Sequence, residues 1–598
     1  MKHPASLCLA AVLLVAGIGA AVSSPRVPQT VAEQSGFRST GRYDEVIRLC
    51  GAYAEAWPDA VRCEKFGQTP QGRPMLALVV SRSGALTPVQ AREKGIPVML
   101  VQAGIHAGEI EGKDAGFLAL RELLQNEAAP GALESFVFVF VPVFNVDGHE
   151  RFGRWNRPNQ NGPEEMGWRV TAQGFNLNRD YTKADAPEMR AMLALLDAWD
   201  PVLYVDLHAT DGAQFEHDVA NIIEPLYTGD PALQRTGREL LDALNAQLAQ
   251  MGSLPLDFYP SFVREDDPAS GFAVEPFTPR FSTGYWALRN RFALLVETHS
   301  WKDYPTRVRV TRNIIVTLAQ MMAAQSRQWQ TLVREADDRA MSLGGTEVPL
   351  DFDPAPQARE IDFRGYAYVR EPSEVSGSLV TRYDPSLPQI WRVPLRDTVV
   401  PALTVRAPAG GYVVPSEHAD WMAERLSAHG IRFGRLEKPA TAAPVEAFRA
   451  IDVRYGNETR EGRMTVRLEG RWERERRTVP AGSLFVPIAQ PKARLVMALL
   501  EPQAPDSFAS WGFFNIAFEA REYMEPYVAE ELGRQMLAEN PDIAAEFRRR
   551  LETDRAFAAN PAARLEFFYR LHPSWDEKRN LYPIYRTDHV PVTVAAQP

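Results

Sequence analysis

Two side chains three residues apart, His106 and Glu109 in the stretch IPVMLVQAGIHAGEIEGK (96–113), are of the kinds that hold Zn2+, an imidazole and a carboxylate. An apolar run of strand length, Pro97 to Val101, breaks at Gly104, and the turn after it lets both side chains face one point. H-x-x-E by itself is a common pair of letters, and a solvated helix start uses it as readily. A catalytic zinc takes three protein ligands and keeps one position for water, so a third ligand and a base must come from elsewhere in the chain.

His208 closes the apolar run PVLYVDL, and Asp206, two residues earlier on the same face of a strand, is placed to orient its ring. A lone histidine in such a place is more often a satisfied, partly buried residue. His217 and His299 are rival third ligands, but neither directly ends an apolar strand. Glu297 closes FALLVE, where an ionised carboxylate is costly unless it is paired or stands beside a metal. It is either a general base or the partner of an arginine from the loop 151–179. Asn178 and Arg179 in FNLNRDY place an amide beside a planar guanidinium, a pair that suits a carboxylate. Arg157 in WNRPNQNGP could stabilise an oxyanion, or simply pair with an acid such as Glu164.

The elements that must position these groups read as an α/β arrangement. YDEVIRLCGAYAEAW has helical spacing and stops at Pro58, and RCEKFGQTPQGRPMLALVVSR reads as two strands about a Pro/Gly turn. Residues 114–124 follow the metal turn at helical spacing, and FVFVFVPVF (136–144) suits a strand buried on both faces, ending in the turn NVDG. The stretch 151–180 is rich in Asn, Gly and Pro, carries five arginines, and is long enough to be a cleft wall. A helix over 187–199 and strands ending at His208 and Glu297 complete a mixed, mostly parallel sheet with helices on both faces and chemistry at the strand C-termini. The region 211–291 is expected to cover the cleft, and a long helix from Thr306 to about Arg339 closes the unit before Gly344 and Gly345.

The predicted organisation is a leader at 1–23, a catalytic domain at 30–340, a β-rich accessory domain at 346–492 and a mostly helical region at 493–598. At 598 residues the chain is too long for one core. With 45% hydrophobic and 24% charged residues it is globular, and a net charge of −10 without a basic run argues against nucleic acid as a partner. Lys2 and His3 precede an apolar run from Ala5 to about Val22, which reads as a cleaved secretory signal and hence a secreted or periplasmic protein, with no membrane span in the mature chain. Cys8 lies inside that run; Cys50 and Cys63 are left as a candidate disulfide or as two buried thiols.

The ordered set H-x-x-E, Asn-Arg, strand-end His and strand-end Glu resembles the zinc carboxypeptidase family typified by carboxypeptidase A, over about residues 40–330, with GQTPQGRP and NVDG as flanking turns. The resemblance implies Zn2+ on His106, Glu109 and His208, a general base at Glu297, terminal-carboxylate recognition by Asn178 and Arg179, and an oxyanion arginine at Arg157. It also implies a tyrosine that closes over the substrate, for which Tyr285 is the nearest candidate before Glu297. Digestive members carry a basic residue before the metal-binding Glu, where this chain has Gly108. The implied substrate is a peptide or protein C-terminus. The alternatives are a zinc amide hydrolase on the same scaffold, a deacylase or cell-wall peptide hydrolase, and a non-catalytic binding protein.

Overall fold

A computed structural model describes residues 27–590 and 594–595, so the expected leader, with Cys8, lies outside the described residues. Eight strands form the central sheet: β1 (Val61–Gln68), β2 (Pro74–Val80), β3 (Val98–Ala103), β4 (Val137–Val141), β5 (Leu203–Thr210), β6 (Val219–Glu224), β7 (Pro255–Leu256) and, after a short β8 (Phe272–Ala273) outside it, β9 (Phe292–His299). Their order is β1-β2-β4-β3-β5-β9-β6-β7. The four central strands β4, β3, β5 and β9 run parallel, and antiparallel pairs flank them. Every residue of β3, β4, β5 and β9 is buried. That is the reason these segments are continuous apolar runs: a parallel strand is covered on both faces.

Helix Glu111–Leu124 lies on one face so closely that a Cβ on Gly112 would come within 2.9 Å of Ala103 and Leu207. The long helix Tyr304–Ala340 packs against it. The opposite face carries Asp206, His208 and Glu297, and is covered by helix Ser282–Ala287 and the loops around it. The fold is thus the expected mixed α/β sheet with helices on both faces. NVDG is no simple turn, because Asn145 accepts the Gly148 N–H at 3.0 Å and caps a short helix, Val146–Glu150.

Cys50 and Cys63 form a disulfide, with Cα atoms 5.4 Å apart, that ties helix Tyr43–Ala56 to β1. The remainder of the chain does not stand apart from residues 30–340. A hairpin of Arg359–Pro372 and Leu379–Arg396 adds to β8 through Leu395 and Arg396, and one continuous apolar core includes residues from both halves. A seven-stranded sheet takes strands from 411–487 and also Tyr585–Thr587 from the chain's end, so it draws on both the expected accessory domain and the helical region after it. Helices Pro526–Glu539, Pro541–Thr553, Arg555–Ala559 and Pro561–Tyr569 share a small core of Phe547, Phe557 and Phe568. Among the described residues, no helix is long and apolar enough to cross a membrane.

Candidate metal centre and cleft

The turn that opens the site begins at Gly104, whose φ of +63° lies in the left-handed region and whose Cα faces the Val143 backbone closely. His106 and Glu109 follow on it, the turn closed by the Glu109 N–H on the His106 carbonyl at 2.9 Å. Strand β5 brings His208 to the same point. One donor atom from each of His106, Glu109 and His208 lies within 4.8 Å of the others, and all three residues are buried. His106 Nδ1 is 3.0 Å from Glu109 Oε1, and His208 Nδ1 is 2.8 Å from Oε2.

The far nitrogens of both rings are held. Asp206 Oδ2 lies 3.0 Å from His208 Nε2 and is itself fixed by the Ser282 hydroxyl at 2.5 Å, while Gln102 donates to its other oxygen at 2.9 Å. Asn176 Oδ1 lies 3.2 Å from His106 Nε2 and also accepts the Asn178 N–H at 3.1 Å. Two imidazoles and a carboxylate, converging through their near atoms with far atoms tied to outer partners, are a donor set that fits Zn2+. Burial, outweighed by His106 and the Arg157 guanidinium, leaves Glu109 well below the usual carboxylate range. For His208 burial is overcome by the Asp206 carboxylate, and the ring is raised well above its ordinary value; burial takes His106 down to about 4.

Glu297 pairs in register with His208 across β5 and β9, and burial pushes its carboxyl up to about 8. No arginine or lysine among the described residues comes within ion-pairing distance of it, so the structural-acid alternative has no partner here. His106, Glu109, His208 and Glu297 all face one cavity of about 420 Å3, together with Asn178, Arg179 and Arg169. Loop 151–180 and region 211–291 supply most of its walls, as their composition suggested.

Two expected residues are elsewhere. Arg157 is not on the cavity wall: its guanidinium is spent on Glu109 Oε1 at 2.8 Å, with 8% of the side chain exposed. Arg169, 37% exposed and 3.5 Å from the same oxygen, lies on the cavity wall instead. Gly108 explains why a basic residue does not precede Glu109, since the stem of Arg157 and the Gly167 carbonyl fill the space a Cβ there would need. Tyr285 is also away from the cavity. Helix Ser282–Ala287 turns Ser282 and Thr283 to the cavity and Tyr285 into the core, where its hydroxyl meets His429 Nδ1 at 2.9 Å and its ring lies 5.5 Å from that of Tyr181. The tyrosines on the wall are Tyr227 and Tyr259.

His217 and His299 join an aromatic cluster instead of the donor set, His299 stacked on Phe215 at 3.8 Å. Asn176, Gln102 and Ser282 went unread. Gln102 had a signal, a polar residue inside an otherwise apolar strand; Asn176 had only its i,i+2 relation to Asn178.

Residues 46–221 match the zinc carboxypeptidase family model. Over that stretch the chain is similar to the zinc carboxypeptidase family. "Carboxypeptidase 2" of Trichophyton equinum is 22% identical over 428 residues, covering 70% of this chain and 74% of that protein. Carboxypeptidase B of Helicoverpa zea is 27% identical over 144 residues, 23% of this chain and 30% of that one. An inactive metallocarboxypeptidase of Schizosaccharomyces pombe is 29% identical over 158 residues, 24% of this chain and 31% of its own length. The zinc carboxypeptidase match ends before β9, so Glu297 lies outside it and its position rests on the geometry alone.

Proposed function

We propose that the protein is an exported zinc metallocarboxypeptidase that hydrolyses the C-terminal peptide bond of its substrate, with His106, Glu109 and His208 as metal ligands. The observation that carries the reading is the meeting, on one cavity, of a buried His-Glu-His donor set, an unpaired glutamate and an unpaired arginine. Zn2+ held there would supply a Lewis acid that polarises the scissile carbonyl and makes water a nucleophile near neutral pH. Asn178 and Arg179 bind the substrate's terminal carboxylate and so set which bond is cut. Glu297 takes the proton of the attacking water and gives it to the leaving amine as the C–N bond breaks. Arg169, in place of Arg157, faces the oxygen that gains charge, while Arg157 holds Glu109. Export is supported by the apolar leader-like run and by a disulfide, which persists in oxidising compartments.

The test compares peptides with free and amidated C-termini on the zinc-loaded protein. The free acid is cleaved and the amide is cut at least tenfold less well. Arg179→Ala raises KM for the free acid by about 10- to 100-fold, the worth of one charge-assisted bidentate pair. Equal cleavage of both forms would assign the site to an amide hydrolase that does not read the chain end.

A further inference from the structure

Three guanidinium groups, those of Arg169, Arg179 and Arg280, border one cavity, and a terminal carboxylate needs only one of them. Arg179 and Arg280 share the ring of Phe281, at 4.2 and 5.2 Å from its centroid. Among the described residues no carboxylate lies within ion-pairing distance of Arg179, and burial together with repulsion from Arg169 and Arg280 lowers it to about 10. Arg280 is held from the other half of the chain: its N–H donates to Asp506 Oδ2 at 3.0 Å, and its guanidinium lies 3.5 Å from Oδ1. Asp506 is itself 7% exposed.

The wall segment around Arg280 is rich in donors without partners. Arg280 Nε and the hydroxyls of Thr278 and Thr283 make no hydrogen bond within the protein, and Thr283 is 1% exposed. Two cations against one ring, beside unpaired donors, are unfavourable in the protein alone and suit a ligand that brings two negative groups. The same cavity also has acids on its wall. Asp257 pairs with Arg238 at 3.6 Å, and Asp211 and Glu275 are exposed, where solvent and salt screen them. Arg280, with 23% of its side chain exposed, is the less screened charge.

We propose that the residue released from the substrate is acidic. Its α-carboxylate sits on Asn178 and Arg179, and its side-chain carboxylate sits on Arg280, with Asp506 as a positioning residue supplied by the C-terminal half. The inference rests on the carboxypeptidase reading above and names the substrate class of that same site.

Steady-state hydrolysis of four peptides that differ only in a C-terminal Glu, Gln, Leu or Lys tests it on the full zinc-loaded chain. The expected kcat/KM for Glu exceeds that for Gln by about tenfold, the equivalent of one charge-assisted contact. Arg280→Gln brings the Glu/Gln ratio close to one, and Arg280→Glu shifts preference from Glu to Lys. Asp506→Asn keeps an acceptor for the Arg280 N–H and raises KM for the Glu peptide more than for the Leu peptide, a split that general loosening would not produce. Equal rates on Glu and Gln, or a wild-type preference for Lys, overturn the inference and leave the peptidase reading intact. Cleavage of none of the four overturns the peptidase reading itself. Should the variants fail to fold, the wild-type Glu/Gln ratio still decides.

Discussion

Glu297 is the residue proposed as the base, and it has the surroundings a base needs: burial, no arginine or lysine partner among the described residues, and a place in register with His208. Glu297→Gln preserves shape and removes the proton acceptor, so turnover falls by about 10^2- to 10^4-fold with the fold unchanged by circular dichroism. The two loop arginines separate by readout. Arg157→Ala leaves Glu109 without its closest guanidinium and weakens metal retention under a chelator titration, whereas Arg169→Ala lowers kcat with metal retention kept. At this scale the convergence of His106, Glu109 and His208 was legible because the strands that carry them to one point are plain apolar runs. That Arg169 and not Arg157 lines the cavity was not, since that depends on how the loop packs. Tyr285 failed for the same reason, as a tyrosine's position before Glu297 does not say which way a six-residue helix turns it.

At the scale of elements, strand β6 carries a buried acid that should make stability pH-dependent. Glu224 is 2% exposed, accepts the Leu226 N–H at 2.9 Å, and burial pushes it up to about 7 from an ordinary 4.5. Its folded pKa lies above its unfolded one, so its favourable contribution is complete below about pH 4.5 and is lost as pH rises through about 7. The loss is about 3 kcal/mol at the upper end. Urea unfolding at pH 5 and 7.5 checks this: Glu224→Gln stabilises more at pH 7.5 than at pH 5, and an equal effect at both would contradict it. Helix Glu111–Leu124 has no spare room either, because a Cβ on Gly116 would come within 2.1 Å of the Phe140 ring. Gly116→Ala therefore lowers the unfolding free energy measured in urea by about 1–3 kcal/mol, against the gain an alanine usually gives within a helix. Period and composition revealed these elements; the glycines that let them pack so closely had no sequence signature.

Across the whole molecule, the two halves are held by named contacts. Arg463 and Arg425 both reach Asp185, at 2.7 and 2.9 Å, Trp511 donates to the Thr182 hydroxyl at 3.1 Å, and His429 Nε2 lies 3.1 Å from the Thr182 carbonyl oxygen. All of these bear on the segment that follows Asn178 and Arg179, and the apolar core is shared between the halves. A chain ending at residue 345 would expose that core and is expected to aggregate; a soluble, cooperatively unfolding fragment would contradict this. The boundary near Gly344 was legible as punctuation, but the contacts across it were not, because they join positions more than two hundred residues apart. Removing the disulfide with Cys50→Ser and Cys63→Ser together costs about 3 kcal/mol of stability, the value expected for a loop this short. Metal analysis paired with hydrolysis on the same preparations tests whether His106, Glu109 and His208 form one metal site with Glu297 as its base. One zinc per chain is expected for wild type and for an inactive Glu297→Gln, with zinc lost in His106→Ala. Full zinc retention in His106→Ala, or ready turnover by Glu297→Gln, would contradict it.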